Sequence, residues 1–147
     1  MIADEQLREV LEFALDVMRA VRRRDPGIAV PGPLKPLLGF TRLSAAGLAT
    51  VRRVLESDSD LRAAVGEAHR VQALEDGHAP SDVLFEQWLL RPEGWEDSVA
   101  DYLAELAATR DRQRLEQEER SVAKRLAAAE RHLERARSDV ADRERAL

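Results

Sequence analysis

The sequence predicts an all-α protein: a small helical domain of four to five helices over residues 1–107, followed by one long C-terminal helix over 108–147 that forms a coiled coil. Three observations carry this expectation. Apolar residues recur at three- and four-residue steps through the first hundred positions, the spacing of amphipathic helices. From Ala107 onward neither proline nor glycine occurs, and Ala, Arg, Glu, Gln and Leu dominate, which favours one uninterrupted helix. Between these regions lies a joint at 81–97, SDVLFEQWLLRPEGWED, which holds both tryptophans and a helix-breaking proline.

The first helix is expected from about Asp4 to Arg24, where Leu7, Val10, Leu11, Ala14, Leu15, Met18 and Val21 share one face. Asp4, Glu5 and Glu9 lie toward its start and Arg22, Arg23 and Arg24 at its end, an order that complements the helix dipole. Residues 25–36, DPGIAVPGPLKP, hold four of the six prolines, so an extended, polyproline-like strap is expected, with Ile28, Val30 and Leu34 laid on the body. A ligand for a proline-recognition groove is the functional alternative for this segment. Leu37, Leu38 and Phe40 suggest a short buried turn.

Ser44 is a good N-cap for a helix through about Glu56, with Leu48, Val51, Val54 and Leu55 facing inward. Ser57 and Asp60 have the spacing of a capping box for the next helix, whose core face is Leu61, Ala64, Val65, Ala68 and Val71 and which ends at Asp76-Gly77. A metal site at Glu56, Asp58 and Asp60 is the sharper reading of that acidic cluster, and capping is the simpler one. A DNA-binding helix-turn-helix would lead with Asp58 and Asp60, which phosphates repel.

Within the joint, Ser81 is expected to cap a short helix burying Leu84, Phe85, Trp88 and Leu89. Arg91 precedes a proline and is pushed out of the helical region. Pro92 suits the first turn of a new helix, along which Trp95, Val99, Tyr102, Leu103 and Leu106 continue the apolar spacing. Trp88 and Trp95 read as core anchors fixing the base of the long helix to the body, with a ligand-stacking platform as the alternative.

Beyond it, Leu126, Leu133, Val140 and Leu147 fall at heptad position a, with Val122, Ala129, Ala136 and Arg143 at d and Leu115 one heptad before Val122. The seam lapses at TRDRQR (109–114), and Glu119 falls at a. A homodimer through this helix is expected. Arg125 with Glu130 is complementary in a parallel dimer and Asp139 with Glu144 is not, which leaves strand direction open. Within the helix, Glu116 with Arg120, Arg135 with Asp139, and Asp139 with Arg143 are candidate ion pairs.

Composition narrows the chemistry. The chain has 147 residues, 44% of them hydrophobic and 35% charged, with net charge −5 and no cysteine, so disulfides and thiolate chemistry are excluded. His69, His78 and His132 are scattered, and no acid-base or nucleophile-base pair stands out. No enzyme, cofactor or small-molecule substrate is expected. No apolar run approaches the roughly 18 residues of a membrane span, and MIADEQLREV is unlike a signal peptide, so a cytoplasmic protein without membrane contact is expected. Residues 108–147 carry net +2 and the remainder −7, which opposes nonspecific attraction to a polyanion. Arg22, Arg23, Arg24, Arg52 and Arg53, with Arg62, are nevertheless the candidate phosphate contacts.

Residues 34–65, LKPLLGFTRLSAAGLATVRRVLESDSDLRAAV, then WLLRPEGW at 88–95, then the Ala/Arg/Glu-rich coil, resemble the N-terminal half of actinobacterial NYN-domain proteins, YacP-like proteins with a PIN-like nuclease domain. The most specific part is Arg91 to Trp95. The resemblance implies a helical region and coil preceding an RNA-directed nuclease domain that has no counterpart in these 147 residues, so none of that family's catalytic residues can be assigned. It further implies an RNA or ribosome partner reached through the parent protein.

Overall fold

The computed structural model describes residues 2–77 and 82–146. All regular structure among them is helical, with no strand. The chain winds up at Asp4 in a 3-10 turn, Asp4–Leu7 (η1), which leads directly into α1, Arg8–Arg24. The entry is capped by Gln6, whose side-chain oxygen accepts the Ala3 N–H at 2.8 Å. Leu7 at the end of η1 and Val10, Leu11, Ala14, Leu15 and Met18 of α1 are buried along one stripe, as the spacing requires, while Val21 at its far end is half-buried.

α1 has a second working stripe, made of Arg8, Glu12, Asp16 and Arg19. Arg8 donates to the Leu43 carbonyl at 2.7 Å and Glu12 accepts the Leu43 N–H at 3.1 Å, so both peptide groups of one buried residue are held from a single helix edge. Arg19 donates to the carbonyls of Leu38, at 2.7 Å, and Phe40. Arg8 also bonds Glu5, and that hydrogen bond holds the Glu5 carboxyl below its ordinary range. The segment from Leu38 to Leu43 is thereby docked through its backbone.

The proline-rich strap is not extended throughout. Gly32–Gly39 forms a 3-10 helix (η2) with Pro36 inside it. Proline lacks the N–H that an α-helix interior needs, but its fixed φ is also the φ of a 3-10 turn. Val30 and Leu34 are buried as expected, whereas Ile28 and Phe40 are exposed, Phe40 by 57%. Ile28 sits on a tight turn closed by its own N–H to the Asp25 carbonyl at 3.1 Å. Phe40 follows η2, where Arg19 holds its carbonyl while its ring remains largely exposed.

α2, Ala45–Ser57, begins at Ser44, whose Oγ accepts the Gly47 N–H at 3.1 Å, the cap the sequence predicts. α3, Ser59–Glu75, is capped by Asp58 rather than by Ser57: the Asp58 carboxylate accepts the Leu61 N–H at 3.0 Å. Ser57 is still helical and turns its hydroxyl back to the Val54 carbonyl. The inner face of α3 centres on Val65 and Gly66, while Ala64 and Val71 are exposed. The missing side chain at Gly66 explains the difference, since a Cβ there would lie 3.0 Å from Leu90 Cγ and 3.2 Å from Leu89 Cβ. α3 ends at Gly77, with φ +76°, the left-handed turn that glycine adopts without penalty.

A six-residue π-helix, Leu84–Leu89 (π1), packs on α3 and adds Phe85, Trp88 and Leu89 to the core formed by α1, α2 and Val65. The last element, α4, runs Trp95–Ala146. The chain divides into a compact body, Met1–Tyr102, and a second unit, Leu103–Leu147.

Gly66 yields a direct check. Gly66→Ala is expected to lower stability by about 1–2 kcal/mol, because overpacking outweighs the gain in helix propensity. Gly39→Ala, where a Cβ meets nothing within 4 Å, is expected to be close to neutral in the same urea titration.

Candidate functional site

The joint is built from the end of π1 and the start of α4. The Ser81 cap expected from the sequence lies outside the described residues. Asp82 does that work for the segment seen, accepting the N–H groups of Leu84 at 3.1 Å and Phe85 at 3.4 Å. π1 closes where the Arg91 N–H reaches the Gln87 carbonyl at 2.9 Å. Arg91 then leaves the right-handed region, as a residue before proline must, but it enters the left-handed region at φ +50°, which is costly for a residue with a Cβ.

Pro92 opens a turn instead of starting α4. The Trp95 N–H returns to the Pro92 carbonyl at 3.0 Å, Gly94 has φ +78°, and the helix bond from the Ser98 N–H to the Gly94 carbonyl begins α4. Glycine in a left-handed conformation two residues after proline interrupts any helix begun at Pro92. The Pro-Glu-Gly spacing carried that signal in the sequence.

This backbone path places the Arg91 guanidinium between the two indoles. Its carbon lies 5.1 Å from the Trp88 ring centroid and 4.6 Å from that of Trp95, within range of a cation–π contact on both. Nε donates to the Trp88 carbonyl at 3.1 Å. Burial, aided by the nearby positive charge of Arg62, lowers the Arg91 pKa from its ordinary value. Arg62 donates to the Leu89 and Leu55 carbonyls at 3.1 and 3.0 Å, so the last carbonyls of π1 are taken by two arginines. Trp88 is fully buried, as an anchor should be. Trp95 is half-buried and packs at the edge of the core.

The remaining candidates are dispersed. Arg52 donates to the Asp4 carboxylate at 2.8 Å, to Glu56 at 3.0 Å and to the Ile2 carbonyl at 2.6 Å. Burial works against its charge, but the hydrogen bonds to Asp4 and Glu56 prevail and raise its pKa. Arg52 therefore ties η1 to α2. Arg53 is exposed, as are Arg22, Arg23 and Arg24 in the last turn of α1. In the acidic cluster at 56–60, Glu56 bonds Arg52 and Asp58 caps α3, and no three metal-ligating side chains converge among the described residues. His69 stacks on Phe85 at 4.0 Å, with Phe13 edge-on to both, and its buried Nδ1 has no hydrogen-bond partner.

In the second unit the heptad residues form an exposed stripe. Leu115, Val122, Leu126, Leu133 and Val140 are each more than half exposed, and Ala129 and Ala136 are exposed between them. Leu147 lies outside the described residues. The ion pairs expected at four-residue spacing are replaced by Asp111 with Arg114 and Asp142 with Arg145 at three-residue spacing. Arg120 and Arg135 donate instead to the backbone carbonyls of Glu116 and Arg131. No helix among the described residues is long and apolar enough to cross a membrane.

Comparison with protein-family models, curated proteins and solved structures finds no match.

The burial difference between the tryptophans sets an order. Trp88→Ala is expected to cost about 3–5 kcal/mol and Trp95→Ala about 1–2 kcal/mol, measured by urea unfolding. Arg91→Gly is expected to be more stable than Arg91→Ala by about 1 kcal/mol, because both lose the guanidinium but only alanine keeps the left-handed penalty.

Proposed function

We propose that this chain is a non-enzymatic interaction and oligomerisation module, in which the helical body anchors α4 and the apolar stripe of α4 joins two copies. The observation that carries this reading is the row of large aliphatic side chains from Leu115 to Val140, exposed along one heptad seam. Single exposed apolar residues are ordinary, but a periodic line of them on a helix without proline or glycine is the form of an unpaired coiled-coil face.

In this proposal the module is the scaffold of an RNA-directed NYN-domain protein, and the resemblance at 34–65 and 88–95 supports that assignment. The joint would then set where the coil, and whatever is linked to it, begins.

Sedimentation velocity over a range of concentrations checks the association. A concentration-dependent dimer mass is expected for the natural chain, and a monomer for Leu126→Glu/Leu133→Glu. A natural chain that stays monomeric at the highest concentration removes the reading.

A second reading, an RNA- or ribosome-binding adaptor, rests on the exposure of Arg22, Arg23, Arg24 and Arg53. If it holds, RNA binding at low salt is lost on Arg22→Ala/Arg23→Ala/Arg24→Ala, and the salt dependence of binding falls with the number of phosphate contacts removed. Absence of binding by the natural chain at low salt eliminates it.

A further inference from the structure

Resting on the self-association just proposed, we infer that the two copies of α4 pair antiparallel, in the single register that sets Glu119 of one copy against Arg143 of the other. Two charged residues interrupt the exposed seam. Glu119 occupies an a position and Arg143 a d position.

In a parallel pair, a faces a and d faces d. Glu119 would then meet Glu119 and Arg143 would meet Arg143, two like-charge contacts partly withdrawn from water. Ala129 would face Ala129 and Ala136 would face Ala136, leaving gaps between layers in which leucine faces leucine.

In an antiparallel pair a faces d, and one register resolves both problems. With Leu126 set opposite Ala136, Leu133 falls opposite Ala129 and Val140 opposite Val122. The same register brings Glu119 opposite Arg143. Large residues meet small ones, valine meets valine, and the two seam charges become an ion pair made twice across the dimer axis.

Sliding by one heptad destroys this match. In one direction Glu119 faces Ala136 and Arg112 faces Arg143; in the other Leu126 faces Arg143. The flanking charges decide little. The antiparallel register gains Arg125 with Asp139 and loses Glu116 with Glu144 and Glu130 with its own copy, while the parallel pair gains Arg125 with Glu130 and loses Asp139 with Glu144. Such pairs face water and are weak, so the residues inside the seam set the direction.

Glu119 and Arg143 are 24 residues apart in the chain, about 36 Å along a helix, so they can be coupled only between molecules. Arg143→Glu is expected to weaken the dimer about tenfold or more, and Glu119→Arg/Arg143→Glu to restore it to within about threefold. In a parallel dimer the single reversal changes nothing, because one like-charge pair replaces another.

The absence of cysteine from these 147 residues permits a second readout on the same chain. A chain carrying Leu126→Cys, mixed with one carrying Ala136→Cys, should oxidise to the mixed disulfide. Leu126→Cys alone should not cross-link to itself. Self-linked Leu126→Cys, or a dimer indifferent to Arg143→Glu, overturns the antiparallel register while leaving self-association intact. A monomer in sedimentation of the same samples overturns both.

Discussion

The body depends on arginine donating into backbone carbonyls that helices cannot satisfy. Connections such as Leu38 to Leu43 and the end of π1 lie against the core, where an unpaired carbonyl costs as much as a lost hydrogen bond. Arg8, Arg19, Arg52, Arg62 and Arg91 each reach one or more such oxygens. A guanidinium suits this task because its forked donors serve two acceptors while its stem covers apolar surface. The arginine content of the body is thus partly a substitute for regular structure in its connections.

α1 shows how the two kinds of bonding share one element. Its apolar stripe supplies the largest single share of the core, and the charged stripe of Arg8, Glu12 and Arg19 fixes the segment that must lie down beside it. Hydrophobic burial alone has no direction. The paired bonds to both peptide groups of Leu43 supply it, so α2 starts from a set position and Ser44 can cap it.

Much of this was legible in the sequence. The four main helices, the inner face of α1, the Ser44 cap and the buried Trp88 follow from periodicity and capping chemistry. The failures have local causes. Ala64 and Val71 read as core because an apolar count cannot register that the contact is made through Gly66, where nothing projects. The 3-10 helix in the strap is hidden because closely spaced prolines signal a break in an α-helix, while the φ that proline imposes also suits a short 3-10 turn. Arg62 reads as surface charge because its partners are carbonyls, which every residue carries and no sequence pattern marks, and Arg52 because two of its three partners, Ile2 and Asp4, lie about fifty residues away in the chain. The exposed stripe of α4 from Leu115 to Val140 was readable from the heptad spacing.

The setting of Arg91 has an optical consequence. Both tryptophans of the chain are gathered around one guanidinium, so the protein's indole emission arises from a single spot and reports on nothing else. Events at Leu126 or Val140 reach that signal only if they disturb the joint. A change in emission on association would therefore be evidence that the body responds to pairing of the coil, and constant emission would mean that the two units act independently.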